Sequence, residues 1–158
     1  MSYILRVYVA GTRADTALLP RVLAELRAHP AIRVCSDWHD QPRGDCAPGQ
    51  ELSISARNLS DLRTAHVLVA VSADAHLRGS HYELGFAEAV GLPQVLVSPR
   101  PPPGKIPISK SDGFNTMVAG TGDGPPHYKL DVFHSGDCFL VHALKTLLGE
   151  RWSGQTLE

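Results

Sequence analysis

Residues 66–98 read HVLVAVSADAHLRGSHYELGFAEAVGLPQVLVS. The opening HVLVAV is too apolar for a strand with one wet face, so it reads as a strand of a parallel sheet covered on both sides. Arg78 to Gly91 then reads as a helix. Ser80 is a natural N-cap, Glu83 follows three residues later at the spacing of a capping box, and Gly91 supplies the stop. Pro93 to Ser98 (PQVLVS) returns to strand. Buried strand, helix, buried strand is the unit of a parallel α/β sheet, and the rest of the chain can be read outward from it.

Upstream, Tyr3 to Ala10 (YILRVYVA) is a second buried strand in character and the first in the chain. It runs through Gly11-Thr12 into Asp15 to His29, where Leu18, Leu19, Val22, Leu23 and Leu26 recur at helical spacing until Pro30. Ala31 to Cys35 reads as a strand, and Asp37 to Gly49, with Trp38, as a loop at a strand end. Glu51 to Arg63 reads as a helix burying Leu52, Leu59 and Leu62. Downstream, Pro99 to Pro126 gathers seven of the twelve prolines among five glycines, and no packed element is expected there. A fifth strand near Leu130 to Phe133, a helix from Cys138 to Leu148 and a frayed tail complete the pattern, with no internal repeat. The expected fold is a single three-layer, doubly wound α/β domain over residues 1–150, with a five-stranded parallel, flavodoxin-like sheet and a tail at 151–158. Ligands of such sheets bind beyond the carboxyl ends of the strands. Gly11 to Arg13, Trp38, Ser72 to Glu83 and the segment after Ser98 are thereby expected around one crevice.

The chain has 158 residues, 43% hydrophobic and 20% charged, the composition of one globular domain. Fifteen Lys and Arg against sixteen Asp and Glu give a net charge of −1, which offers no pull toward polymeric nucleic acid or an anionic membrane. The absence of a long apolar run and of a signal-peptide pattern leads to the expectation of a soluble, cytoplasmic protein. Cys35, Cys46 and Cys138 match neither a disulfide framework nor paired zinc ligands, and a reducing compartment suits them.

Several residues at the expected crevice carry chemistry. Glu83, in the first turn of a helix, lies where the helix dipole favours an ionised nucleophile or ion-pairing group; a plain capping box is the alternative. Gly85 fits either a functional motif or close helix-on-strand packing. Asp61, five residues before the third strand, can overhang the same mouth or be a solvated helix acid. Asp74 is equally open. His76 and His81 make poor metal geometry, and neither a metal nor a cofactor is expected. Gly11, Thr12 and Arg13 offer N–H groups, a hydroxyl and a cation that suit a phosphate, although neither a P-loop nor a GxGxxG is present. Tyr8 and Trp38 are candidates to stack on a planar base, or core aromatics.

Taken together, YVAGT, NLSDLRTAHVLVAV and GSHYELGFAEAVGLPQVLV resemble the nucleoside 2-deoxyribosyltransferase family. That family has an AG or GG turn after the first strand, an Asp before an A-D-V-x-V-A strand, and a helix opening with E-x-G-x-A followed by G-K-P. Gly11, Asp61, the run from Ala65 to Ala70, Glu83, Gly85, Ala87 and Gly91 to Pro93 correspond. His66 and Leu92 stand where the family usually has Asp and Lys, and Asp74, His76 and Arg78 are shifted from its base-side Asp. The FNTM at Phe114 to Met117 is similar to the N-x-M segment that reaches a neighbouring subunit's site. Tyr82 to Gly85 (YELG) is similar to the helix start of the nucleotide N-hydrolase branch.

The resemblance implies cleavage or transfer at the N-glycosidic bond of a (deoxy)nucleoside or nucleoside 5′-monophosphate through a glycosyl-enzyme intermediate on Glu83. Asp61 would orient substrate or handle a proton at the leaving base. Tyr8, Gly11, Thr12, Arg13, Trp38, Asp74, Ser80, Asn115 and Met117 would bind substrate, in a homo-oligomer. Two other readings are a non-catalytic sensor of a nucleotide or ADP-ribose-like ligand, and a Toll/interleukin-receptor-like NAD glycohydrolase.

Overall fold

A computed structural model describes residues 4–41, 47–71, 80–98, 127–131 and 139–149. Their elements in chain order are β1 (Leu5–Ala10), α1 (Leu18–Ala28), β2 (Ile32–Val34), α2 (Gln50–Arg63), β3 (Val67–Val71), α3 (Ser80–Ala89), β4 (Gln94–Ser98), β5 (His127–Asp131) and α4 (Phe139–Leu148). The five strands are all parallel, in the order β2-β1-β3-β4-β5, the doubly wound, flavodoxin-like order. Strand order reverses between β1 and β3, where Val7 to Ala10 pair with Val67 to Ala70.

Period-2 alternation along β1 divides the core between two faces. Leu5, Val7 and Val9 pack with Leu19, Val22 and Leu26 of α1 and with Leu140 and Leu144 of α4. Tyr8 and Ala10 point the other way, among Leu62 of α2, Leu84 and Ala87 of α3, and Leu68, Ala70 and Leu96 of the sheet. Each fully buried Leu or Val contributes about 1.5–3 kcal/mol by leaving water, so both faces hold their helices by ordinary apolar burial. The second face is lined by small residues near the carboxyl edge, and the large polar-tipped side chain there is Tyr8, with no exposed surface. One fact of this layering decides the site: Tyr8 shares a layer with α2 and α3.

Several boundaries differ from the sequence reading, for local reasons. Helix α1 begins at Leu18 rather than Asp15, because the Asp15 carboxylate accepts hydrogen bonds from the N–H groups of Ala17 (3.1 Å) and Leu18 (2.8 Å) and acts ahead of the helix as its cap. Leu52 was expected in the core and is 80% exposed, whereas Leu62 is 1% exposed. Helix α2 leans on the sheet through its last turns, so its first turn projects into solvent. Strand β5 occupies His127–Asp131, upstream of the expected Leu130 to Phe133, in register with Gln94–Ser98 of β4. Gly91, with φ 68°, adopts the left-handed turn that ends α3, and the Leu92 N–H closes it onto the Ala87 carbonyl at 2.8 Å. The Pro99 to Pro126 excursion lies outside the described residues. Among those described, no helix is long and apolar enough to cross a membrane.

Candidate active site

Three elements meet at the carboxyl edge of the sheet beside the reversal of strand order. Strand β1 brings Tyr8 and the turn from Gly11, α3 brings Ser80 and Glu83 in its opening turn, and α2 lies alongside. The Tyr8 hydroxyl donates to Oε1 of Glu83 at 3.0 Å, a contact between residues 75 apart in sequence. Burial pushes the Glu83 carboxyl up from its ordinary value, and the hydrogen bond from Tyr8 pulls it partly back. Burial, and next the Glu83 charge itself, hold the Tyr8 hydroxyl far above the usual phenol range, so it stays a proton-bearing donor.

The capping-box alternative for Glu83 does not describe these contacts. Ser80 is the first residue of α3, and its hydroxyl donates across to the Gly11 carbonyl at 3.5 Å. Among the described residues, no hydrogen bond joins Ser80 to Glu83; the Glu83 carboxylate is held from the sheet. Gly11 is tightly enclosed: a Cβ there would sit 3.2 Å from the Val71 carbonyl oxygen and 3.6 Å from Leu19. Close approach of the first turn to β3 therefore favours glycine, since a side chain would push on the Val71 carbonyl. Gly85 is the opposite case, since a Cβ there would meet nothing within 4 Å among the described residues.

A cavity of about 360 Å³ opens onto Glu83, lined by Ser55, Asn58, Leu59, Leu62, Tyr82 and Glu83. The four α2 residues are one stripe at i, i+3, i+4 and i+7. Asp61 is not on it. Its half-buried carboxyl lies one stripe over, pushed up by burial and by the neighbouring charge of Asp37, while Arg57 and Arg6 pull it down. Its field still reaches Tyr8, adding to the upward pressure on that hydroxyl. Asn58 and Ser55, which sequence reasoning did not single out, occupy the wall instead. The only signal for them was the helical phase relative to Leu62.

The two aromatics expected to stack on a base are otherwise engaged. Tyr8 is wholly buried and offers only its hydroxyl to the site. The Trp38 indole N–H donates to the Val9 carbonyl at 2.7 Å, and the ring packs partly buried against the α1 face of the core. Arg13 donates to the Trp38 carbonyl, which ties the β1 turn to the loop after β2. The Thr12 hydroxyl accepts from the Ala14 N–H at 3.3 Å. Asp74, Asn115 and Met117 lie outside the described residues. Among those described, no group of three or more His, Cys, Asp or Glu is placed to hold a metal ion.

This flavodoxin-like sheet, whose first strand holds through a tyrosine a glutamate at the head of the helix after β3, comes with matching likenesses: in sequence the chain is similar to a nucleotide N-hydrolase, and in fold to a 2-deoxyribosyltransferase. A curated relative is 5-hydroxymethyl-dUMP N-hydrolase of Mus musculus, 35% identical over 118 residues, which are 73% of this chain and 63% of that protein. The chain thus spans a little under two thirds of that relative's length. The solved 2-deoxyribosyltransferase of Bacillus psychrosaccharolyticus superposes with a TM-score of 0.61 at 20% identity, over 90% of this chain and 95% of its own, and shows the same fold. No family model matches the chain.

Proposed function

We propose that this protein cleaves or transfers the N-glycosidic bond of a deoxynucleoside or deoxynucleoside 5′-monophosphate, with Glu83 as nucleophile. The observation that carries this reading is the Tyr8–Glu83 hydrogen bond at the head of α3, beside a cavity of ligand size. Tyr8 holds Oε1, which leaves Oε2 to attack the anomeric carbon. As the new C–O bond forms, the C–N bond breaks and its electron pair departs on the base nitrogen, which takes up a proton from solvent. Water or a second base, giving up a proton to solvent, attacks the same carbon from the vacated side and the ester bond to Glu83 breaks, returning the carboxylate. Two inversions retain configuration. An unpaired carboxylate in this half-dry site would be protonated more readily; the Tyr8 donor favours its ionised form, the one that attacks.

We assign Gly11, Thr12 and Arg13, in the turn after β1, and Ser80, at the head of α3, to the 5′ end of the substrate, with Arg13 facing a phosphate. The relatives' names, a nucleotide N-hydrolase and a deoxyribosyltransferase, support this substrate class. We further assign a homo-oligomer in which Asn115 reaches a neighbouring site. Incubation with deoxynucleosides, their 5′-monophosphates and NAD, with free base measured by chromatography, tests the reading. Base release from one of the first two classes is expected. Release from NAD alone would move the protein to NAD cleavage, and binding without release would make it a sensor.

A further inference from the structure

The cavity beside Glu83 is lined by polar, apolar and aromatic side chains together. Asn58 and Ser55 lie on one stripe of α2 with Leu59 and Leu62 beside them, and Tyr82, 67% exposed, stands next to Glu83 on α3. A carboxamide presents one donor and one acceptor side by side, the pattern needed for a heterocycle edge that alternates carbonyl or ring nitrogen with N–H. Leucine and tyrosine supply apolar contact for the ring faces.

We propose that Asn58, assisted by Ser55, reads the hydrogen-bonding edge of the nucleobase, which lies against Leu59 and Tyr82 while its sugar faces Glu83. This rests on the N-glycosidic reading above and adds to it the residues that choose the base. It also replaces Asp61 at the leaving base. Asn58 contacts the departing ring as a neutral partner: it stabilises the developing negative charge by donating its N–H and does not transfer a proton. A site built to hydrogen-bond a group discriminates strongly against substrates lacking it, because its own polar atoms are then left unpaired.

The test compares wild type, Asn58→Ala, Asn58→Asp and Ser55→Ala on deoxynucleosides and 5′-monophosphates of adenine, guanine, cytosine and thymine. Base release gives kcat/KM, and calorimetry of the same compounds on a Glu83→Gln background gives binding without turnover. Ser55 is exposed and Asn58 half-buried, so truncation leaves the core intact; circular dichroism checks this. Asn58→Ala is expected to lose about tenfold or more on the preferred base, with smaller losses on the others, so that the order of bases flattens. Asn58→Asp, which exchanges the donor for an acceptor, is expected to reorder the bases, and Ser55→Ala to flatten them less. Equal losses on all four bases, or none, would overturn the assignment while leaving the N-glycosidic reading in place. If wild type releases no base yet binding shows a base order that Asn58→Ala abolishes, the wall stands and the catalytic reading falls. Absence of both release and base-ordered binding removes both.

Discussion

At the scale of single residues, Glu83 and Tyr8 work as a pair, and each half makes a different prediction. Glu83→Gln keeps the shape but cannot form an ester with the sugar, so base release is expected to fall by several powers of ten while ligand affinity stays within a few-fold. Turnover above about one tenth of wild type would exclude Glu83 as nucleophile. The same substitution should stabilise the fold. A glutamate whose folded value is raised contributes most stability below its ordinary value and loses it as pH rises through the folded value, so ionised Glu83 is a cost at neutral pH. A gain of about 0.5–2 kcal/mol is expected there, or roughly 2–4 °C in Tm per kcal/mol, shrinking toward acid pH. Tyr8→Phe removes the hydrogen bond that partly offsets the upward push of burial on the Glu83 carboxyl. The acid limb of the rate profile should therefore move to higher pH, with a loss of roughly tenfold to a hundredfold in kcat/KM at neutral pH, the worth of one hydrogen bond to a charged group. An unchanged acid limb would show that the bond does not act on Glu83.

At the scale of elements, α2 shows why a hydrophobic pattern alone misplaces a residue. Leu52, Leu59 and Leu62 read as one buried set, but the helix approaches the sheet at its carboxyl end and stands clear of it at its start. Leu62→Ala should then cost about 2–5 kcal/mol by denaturant unfolding, whereas Leu52→Ser should change stability by no more than about 0.5 kcal/mol. Similar losses at both positions would mean that a surface covers Leu52. The same helix carries the outcome for Asp61: one residue of phase, about 100° of rotation, separates its stripe from that of Asn58 and Leu62. Helix α1 contributes an analogous surprise, since Glu25 accepts the N–H groups of Leu140 (2.8 Å) and Val141 (3.3 Å) and so caps the distant α4.

At the scale of the whole molecule, the outer layer made by α2 and α3 leaves Leu52, Tyr82 and Val90 exposed at 80%, 67% and 56%. Apolar exposure at Tyr82, next to Glu83, is what a second copy of the chain would cover under the homo-oligomer assigned above. Light scattering is expected to give at least twice the 17.1 kDa chain mass. Refolding Glu83→Ala together with Asn115→Ala should restore activity through one intact shared site. A fully active monomer would end the oligomer reading, and a mixed oligomer without recovered activity would confine Asn115 to its own subunit.

Strand identity, parallel pairing and the glutamate at the head of α3 were legible in the chain itself, because continuous apolar runs, a glycine stop and a capping-like spacing are local properties. The 66–98 stretch shows this most directly: its buried strands and intervening helix stand where its composition puts them, within one or two residues. What Glu83 touches was not legible. Its partner is 75 residues away, and sheet pleat alone turns Tyr8 rather than Val7 or Val9 toward it. The same holds for Trp38, whose indole N–H is held against the core by the Val9 carbonyl, and for Asn58, brought to the cavity by the rotation at which α2 settles on the sheet. Local pattern determines which elements form, but rotation and register between elements are set only when side chains from distant segments pack together.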